Sequence, residues 1–175
     1  MFIRTLCIIL IFIVSGPILA QVQDPKAPAT KSARDKHPEH DAVMKVVNLF
    51  FEAVNTSSAK LMTKIALHDS MTYSVREQSD GHWSLRARPQ SYDMDPANWG
   101  PEKLTERYWA PTVLITDHIA VFWAPYDFHI DGKFSHCGTD AIDLLKVDGE
   151  WKLSNSSWTV QKTGCEPSPL GSLKE

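Results

Sequence analysis

The chain has 175 residues, a formal net charge of −3 with histidine neutral, and 22% charged residues. This length fits a single domain, and the composition is ordinary for a globular protein. The mildly acidic balance argues against a nucleic-acid partner, which requires a basic patch.

Residues 1–20 read as a secretory signal peptide. Arg4 supplies the positive start, residues 6–14 the short apolar run, and Ile18-Leu19-Ala20 a cleavage-like site. The run is short and broken by Ser15-Gly16-Pro17, which speaks against a spanning helix, so no stable membrane insertion is expected after cleavage. An uncleaved anchor is the alternative. The expected location is outside the cytoplasm, periplasmic or extracellular. Cleavage removes Cys7 and leaves Cys137 and Cys165. An oxidising compartment permits a bridge between them; two free thiols are the alternative. Residues 21–36 are polar with two prolines and read as a disordered linker.

The spacing of Val43, Val46, Val47, Phe50, Phe51 and Val54 predicts a helix over 39–55. Thr56, Ser57 or Ser58 can cap a second helix that runs to about residue 67. Strands are expected over 71–75 and 82–88 around the turn Ser79-Asp80-Gly81. Residues 89–102 form an irregular, proline-interrupted loop of the kind that serves as a lid, with Tyr92, Met94 and Trp99 as its apolar contacts. Strand character resumes over 103–116, and the tail 166–175 is polar and expected to fray.

Three apolar runs, 119–130, 134–147 and 151–163, are separated by Asp131-Gly132 and Asp148-Gly149. Asp-Gly between alternating hydrophobics signals β-hairpins, so this stretch reads as an antiparallel meander. The register that keeps apolar residues together places Ala120, Phe122, Tyr126 and Phe128 on one face with Cys137, Thr139, Ala141, Asp143 and Leu145. At the second turn a three-residue loop is preferred, because a two-residue loop would set Trp151 beside Lys146. The opposite face then collects Val121, Trp123, Ile142, Leu144, Trp158 and Val160 among His129, His136 and Asp140, a patch that suggests a homodimer.

Two helices, a strand pair, a loop and a long antiparallel sheet form a familiar order. The segments Trp123-Ala124-Pro125-Tyr126-Asp127-Phe128, Ser135-His136-Cys137-Gly138, Gly149-Glu150-Trp151-Lys152-Leu153 and Gly164-Cys165 resemble the nuclear-transport-factor-2-like (SnoaL-like) superfamily, and within it the branch labelled lumazine-binding. The resemblance implies an α+β, cone-shaped fold over 37–165, with a curved antiparallel sheet wrapped around N-terminal helices. It also implies frequent dimerisation. The superfamily holds isomerases, dehydratases, cyclases and hydrolases as well as members without activity, so fold alone does not choose among functions.

In this register Asp143 and Asn155 lie with Tyr126 and Phe122 inside the cone. Asp143 is then the expected acid or base, since burial raises a carboxyl pKa. His136 falls outside, beside His129; a bulge in this hairpin would carry it into the pocket as a general base. His68, Tyr73 and Trp99 are expected at the mouth. Two histidines leave a zinc site incomplete, so no metal is expected, and no phosphate loop or dinucleotide fingerprint implies a cofactor. The expected function is an exported protein that binds an unknown small molecule within the cone. The alternatives are a cofactor-independent acid–base enzyme of isomerase, dehydratase or hydrolase type, and a non-catalytic dimerisation scaffold.

Overall fold

The computed structural model describes residues 37–173; the signal-peptide and linker expectations lie outside them. Helix α1 (His40–Asn55) and the short α2 (Ala59–Ile65) lead into seven strands: β1 (Ala66–Glu77), β2 (Trp83–Pro89), β3 (Leu104–Tyr108), β4 (Thr112–Ile115), β5 (Ile119–Ile130), β6 (Lys133–Val147) and β7 (Glu150–Val160). Ser58 caps α2, accepting from Leu61 N–H at 3.2 Å. The strands form one mixed, curved, unclosed sheet in the order β2-β1-β7-β6-β5-β3, with β4 also on β5. Only β1 and β7 run parallel. The expected strand over 103–116 is two strands, because Ala110 adopts φ +44° and Pro111 offers no N–H to the ladder.

Helix α1 lies against the concave face. Val43, Val47, Phe50 and Phe51 are buried with Phe122, Leu144, Trp151 and Leu153 in one core. The Phe51 ring sits 4.6 Å from Tyr108 and 5.9 Å from Phe122. An edge-on aromatic cluster of this kind fixes the helix across β3 and β5.

The meander is present, but its register is not the expected one. Asp131 and Gly132 both have positive φ and close a two-residue turn, pairing Ile130 with Lys133. The turn chemistry therefore holds. Two residues later Ser135 is unpaired between His129↔Phe134 and Phe128↔His136. This bulge slips the ladder by one residue, so every β6 side chain beyond it changes face. Phe122 pairs with Ile142 and Ala120 with Leu144, while Asp143 pairs with Val121 and turns outward. Ile142, Leu144 and Val160 are buried core, not outer patch.

The second turn is also the one that sequence pattern disfavoured. Asp148 and Gly149 close a two-residue loop and set Lys146 beside Trp151. That pairing carries no penalty here. Lys146 Nζ is 3.0 Å from Glu39 Oε2, and the Trp151 indole donates to the same oxygen at 2.9 Å. A second bulge at Ser154 then restores the expected pairing of Asp143 with Asn155.

Residues 137 and 165 are joined by a disulfide. It holds the segment after β7 against the outer face, where Arg107 Nη2 donates to Gly171 O at 2.9 Å. Arg107 also grips Asp127 with both arms of its guanidinium, at 2.8 and 2.5 Å.

Candidate functional site

Between the concave face, α1 and the segment after β2 lies a cavity of about 410 Å³. Alternation along the strands decides what enters it. Leu104 and Glu106 come from β3, Tyr126 and Phe128 from β5, His136, Asp140 and Ile142 from β6, and Ser156, Trp158 and Val160 from β7. The two bulges select these residues: Ser135 turns His136 and Asp140 inward, and Ser154 does the same for Ser156 and Trp158.

Two carboxyl groups stand inside. Glu106 is 9% exposed and Asp140 4%. Burial pushes the Glu106 carboxyl up to about 8. Burial raises Asp140 well above the carboxylate range, and the neighbouring Glu106 adds to it. Asp140 Oδ2 and Ser156 Oγ are buried and make no hydrogen bond within the described residues. Asn55, at the end of α1, positions Glu106: Glu106 N–H donates to its Oδ1 at 2.6 Å, and its Nδ2 donates to Glu106 O at 3.1 Å. That side chain serves the exposed edge of β3 as a neighbouring strand would.

Tyr126 crosses the cavity wall and donates to Thr159 O at 2.7 Å. It fits only because residue 138 is glycine. A Cβ there would stand 2.7 Å from the tyrosine ring and 2.0 Å from Thr159 O. Burial, then Glu106 and Asp140, raise its hydroxyl pKa. His136 stacks on Phe128 at 4.8 Å and meets the Tyr126 ring edge-on at 5.7 Å. Burial first, then Arg76 and Lys162, push its imidazole down to about 4, so it is neutral at pH 7.

The cavity therefore brings together Tyr126, His136 and Trp99 of the expected site. Trp99 belongs to the irregular segment, which is two short 3-10 turns pinned by its indole donating to Asp93 O at 2.9 Å. The remaining expected residues lie elsewhere. Phe122 is fully buried in the core beneath α1. Asp143 and Asn155 face each other on the outer surface, 3.5 Å apart, because the bulges invert the face they were assigned to. Tyr73 pairs with Ser157 on that same surface. His68 is exposed beside Asp69. Sequence reasoning missed Glu106, Asp140 and Arg76. Leu104, Glu106 and Tyr108 share one strand parity, a usable signal for an inward Glu106.

Chemically the site offers carboxyls whose pKa burial raises, a neutral imidazole and a cation in one partly apolar space. This combination can donate, accept and stabilise charge without a cofactor.

No protein-family model matches the sequence and no curated protein does. The lumazine-binding branch thus rests on motif resemblance alone. Solved structures do match, and they give the chain the nuclear-transport-factor-2-like fold. One is a nuclear-transport-factor-2-like protein from Cytophaga hutchinsonii, 12% identical, with TM-score 0.57 over 71% of this chain and 99% of that one. A superfamily protein from Salmonella enterica serovar Typhimurium is 14% identical, with TM-score 0.54 over 73% and 95%. A third, from Novosphingobium aromaticivorans and described as cystatin-like in fold, is 6% identical, with TM-score 0.56 over 73% and 84%. Identities this low carry the fold and nothing about activity.

Proposed function

We propose that this is an exported protein that binds a small organic molecule inside the cone. The observation that carries the reading is the cavity of about 410 Å³, lined by apolar side chains together with the buried Glu106 and Asp140. Packing with no ligand role would fill such a space with hydrocarbon, since a polar group left unpaired in the interior costs about 1–3 kcal/mol. Tyr126, His136 and Trp99 are the proposed ligand contacts carried over from the sequence. Native mass spectrometry of protein purified from its own host tests the reading; the expected result is a retained small molecule. The same spectrum reads export, because the mature mass should lack residues 1–20. The Cys137–Cys165 disulfide is consistent with an oxidising compartment. Among the described residues no helix is long and apolar enough to cross a membrane.

The acid–base reading is the second, favoured by one observation: a buried carboxyl pair shares the cavity with the neutral His136. Asp140→Asn that abolishes turnover of a bound molecule while leaving its affinity within about threefold would establish it.

We further propose a homodimer through the outer face. Val121 and Trp123 remain of the expected patch, and Ile119, Leu114 and Leu145 join them, with Trp123 54% exposed. Light scattering should report twice the monomer mass, and Trp123→Lys should return the monomer; a monomer at micromolar concentration would refute it.

A further inference from the structure

The cavity is not electrically uniform. Glu106 and Asp140 come from β3 and β6, Arg76 and Arg88 from β1 and β2, and the third carboxyl, Asp93, sits with Arg88. Alternation sends Thr72, Ser74 and Arg76 of β1 to the concave face, where Thr72 and Ser74 are buried. The antiparallel register sets Arg88 opposite Thr72 and Arg86 opposite Ser74. Side chains directly opposite share a face, so β1 and β2 place three arginines on one wall. Arg76, Arg88 and Lys162, the last just beyond β7, line the cavity, while Arg86 is exposed and does not.

One of these charges is already answered. Arg88 Nη1 lies 2.5 Å from Asp93 Oδ1. Arg76 is not answered. Its Nε donates to Ser74 Oγ at 2.9 Å, and among the described residues no carboxylate forms an ion pair with it. Burial, then the charges of Arg86 and Arg88, hold its pKa below the ordinary value. His136 registers the same field independently, since Arg76 and Lys162 both disfavour its protonation. The Glu106 carboxyl, pushed up to about 8, does not cancel this field at neutral pH, and burial shifts Asp140 in the same direction.

An arginine that keeps its planar fork toward an apolar cavity is suited to one anionic group. A carboxylate matches the fork with two parallel hydrogen bonds, stronger than neutral ones. The neighbouring walls are Phe50, Phe128, Ile142 and Trp158, which suit a ring-sized apolar body. Resting on the reading of the cavity as a binding site, we infer that its ligand is an aromatic or alicyclic carboxylic acid, with its carboxylate held by Arg76 at the β1–β2 wall and its apolar body against Phe128 and Trp158. Glu106 and Asp140, at the other end, then meet a polar substituent of that body. Arg76 is the one arginine at the cavity without an ion pair among the described residues, and one guanidinium fork matches one carboxylate.

The test compares 2-naphthoate with 2-naphthylmethanol by calorimetric titration at pH 7 into the disulfide-bonded protein. The two share a ring system and differ in charge. The naphthoate should bind at least about tenfold tighter, a difference of about 1.4 kcal/mol. Arg76→Gln should weaken naphthoate far more than the alcohol and so erase that preference, and Arg76→Lys should retain part of it. Thermal melts of both variants check folding, and the comparison in the unaltered protein stands without them. Equal affinities for the two probes, or an Arg76→Gln variant that still prefers naphthoate, would overturn the acid assignment and leave the pocket reading in place. Failure of both probes to bind the unaltered protein would overturn the pocket reading and the assignment with it.

Discussion

Glu106 illustrates how one side chain ties stability to pH. In an unfolded chain its carboxyl titrates near the ordinary 4.5, whereas in the folded protein burial pushes it up to about 8. The folded state therefore holds a proton between these values that the unfolded state has released. Stability from this group is fully present below about pH 4.5 and is lost as pH rises toward 8, the reverse of an ion-paired carboxylate. Each pKa unit corresponds to about 1.4 kcal/mol, so the loss across that window is on the order of 3–5 kcal/mol. Replacing Glu106 with glutamine keeps the shape and removes the titration. We expect thermal melts of the natural protein to fall between pH 5 and 8, and those of Glu106→Gln to be flatter over the same range. Parallel profiles for the two proteins would show that Glu106 ionises without cost. His136 acts in the other direction, since its depressed pKa of about 4 withdraws stability only as pH falls below about 6.5. Its effect and that of Glu106 are separable by the variant.

At the scale of elements, the helices, the hairpins and the places of both Asp-Gly turns were legible in the sequence, because each is fixed by local chemistry, but the second loop is two residues long and not the expected three. Ser58 caps α2, and the turn residues Asp131-Gly132 and Asp148-Gly149 adopt the positive φ angles the motif requires. The faces of β6 were not legible, because a bulge carries no local signature in a run of polar residues. Gly138, Thr139, Asp140 and Asp143 do not announce which parity points inward, and Ser135 reverses it. The cost of Lys146 beside Trp151 likewise vanished through Glu39, a contact 107 residues away in sequence from Lys146 (Lys146 minus Glu39). The bulge makes a sharp prediction. Deleting Ser135 removes the unpaired residue, so the two-residue turn runs straight into the observed pairing of Phe128 with His136 and of Phe122 with Ile142. Each buried apolar side chain contributes about 1.5–3 kcal/mol, so this pairing should hold and the deletion variant should keep a cooperative melt. Ser135→Ala keeps the extra residue and should change stability by less than about 1 kcal/mol. A deletion variant that loses its cooperative melt would show that the bulge itself, and not the apolar pairing beyond it, is what the sheet requires.

Across the whole described unit, the disulfide connects what the sheet leaves separate. Cys137 lies in β6 opposite Asp127 of β5, and Cys165 lies beyond the end of β7. The bond is separated by 28 residues and encloses the hairpin that carries Asp140, Ser156 and Trp158. Closing a loop of that length in the unfolded chain removes entropy equivalent to about 3–4 kcal/mol. It also anchors the following segment, whose Gly171 carbonyl accepts from Arg107. Asp127 and His129 are buried there although they lie on the strand parity opposite the cavity. Two consequences are expected from Cys165→Ala. Stability should drop by about 3–4 kcal/mol, measured by denaturant unfolding of the variant against the oxidised protein. Amide exchange should quicken along the segment from Cys165 to Gly171 well before it quickens in β6, because that segment has few other attachments. The cavity is built by the strands and not by this segment, so affinity for a bound molecule should change little at temperatures where the variant is folded. If stability is unchanged on removal of the bond, the contacts of the tail with Arg107 and Asp127 suffice to hold it and the bridge adds nothing to stability.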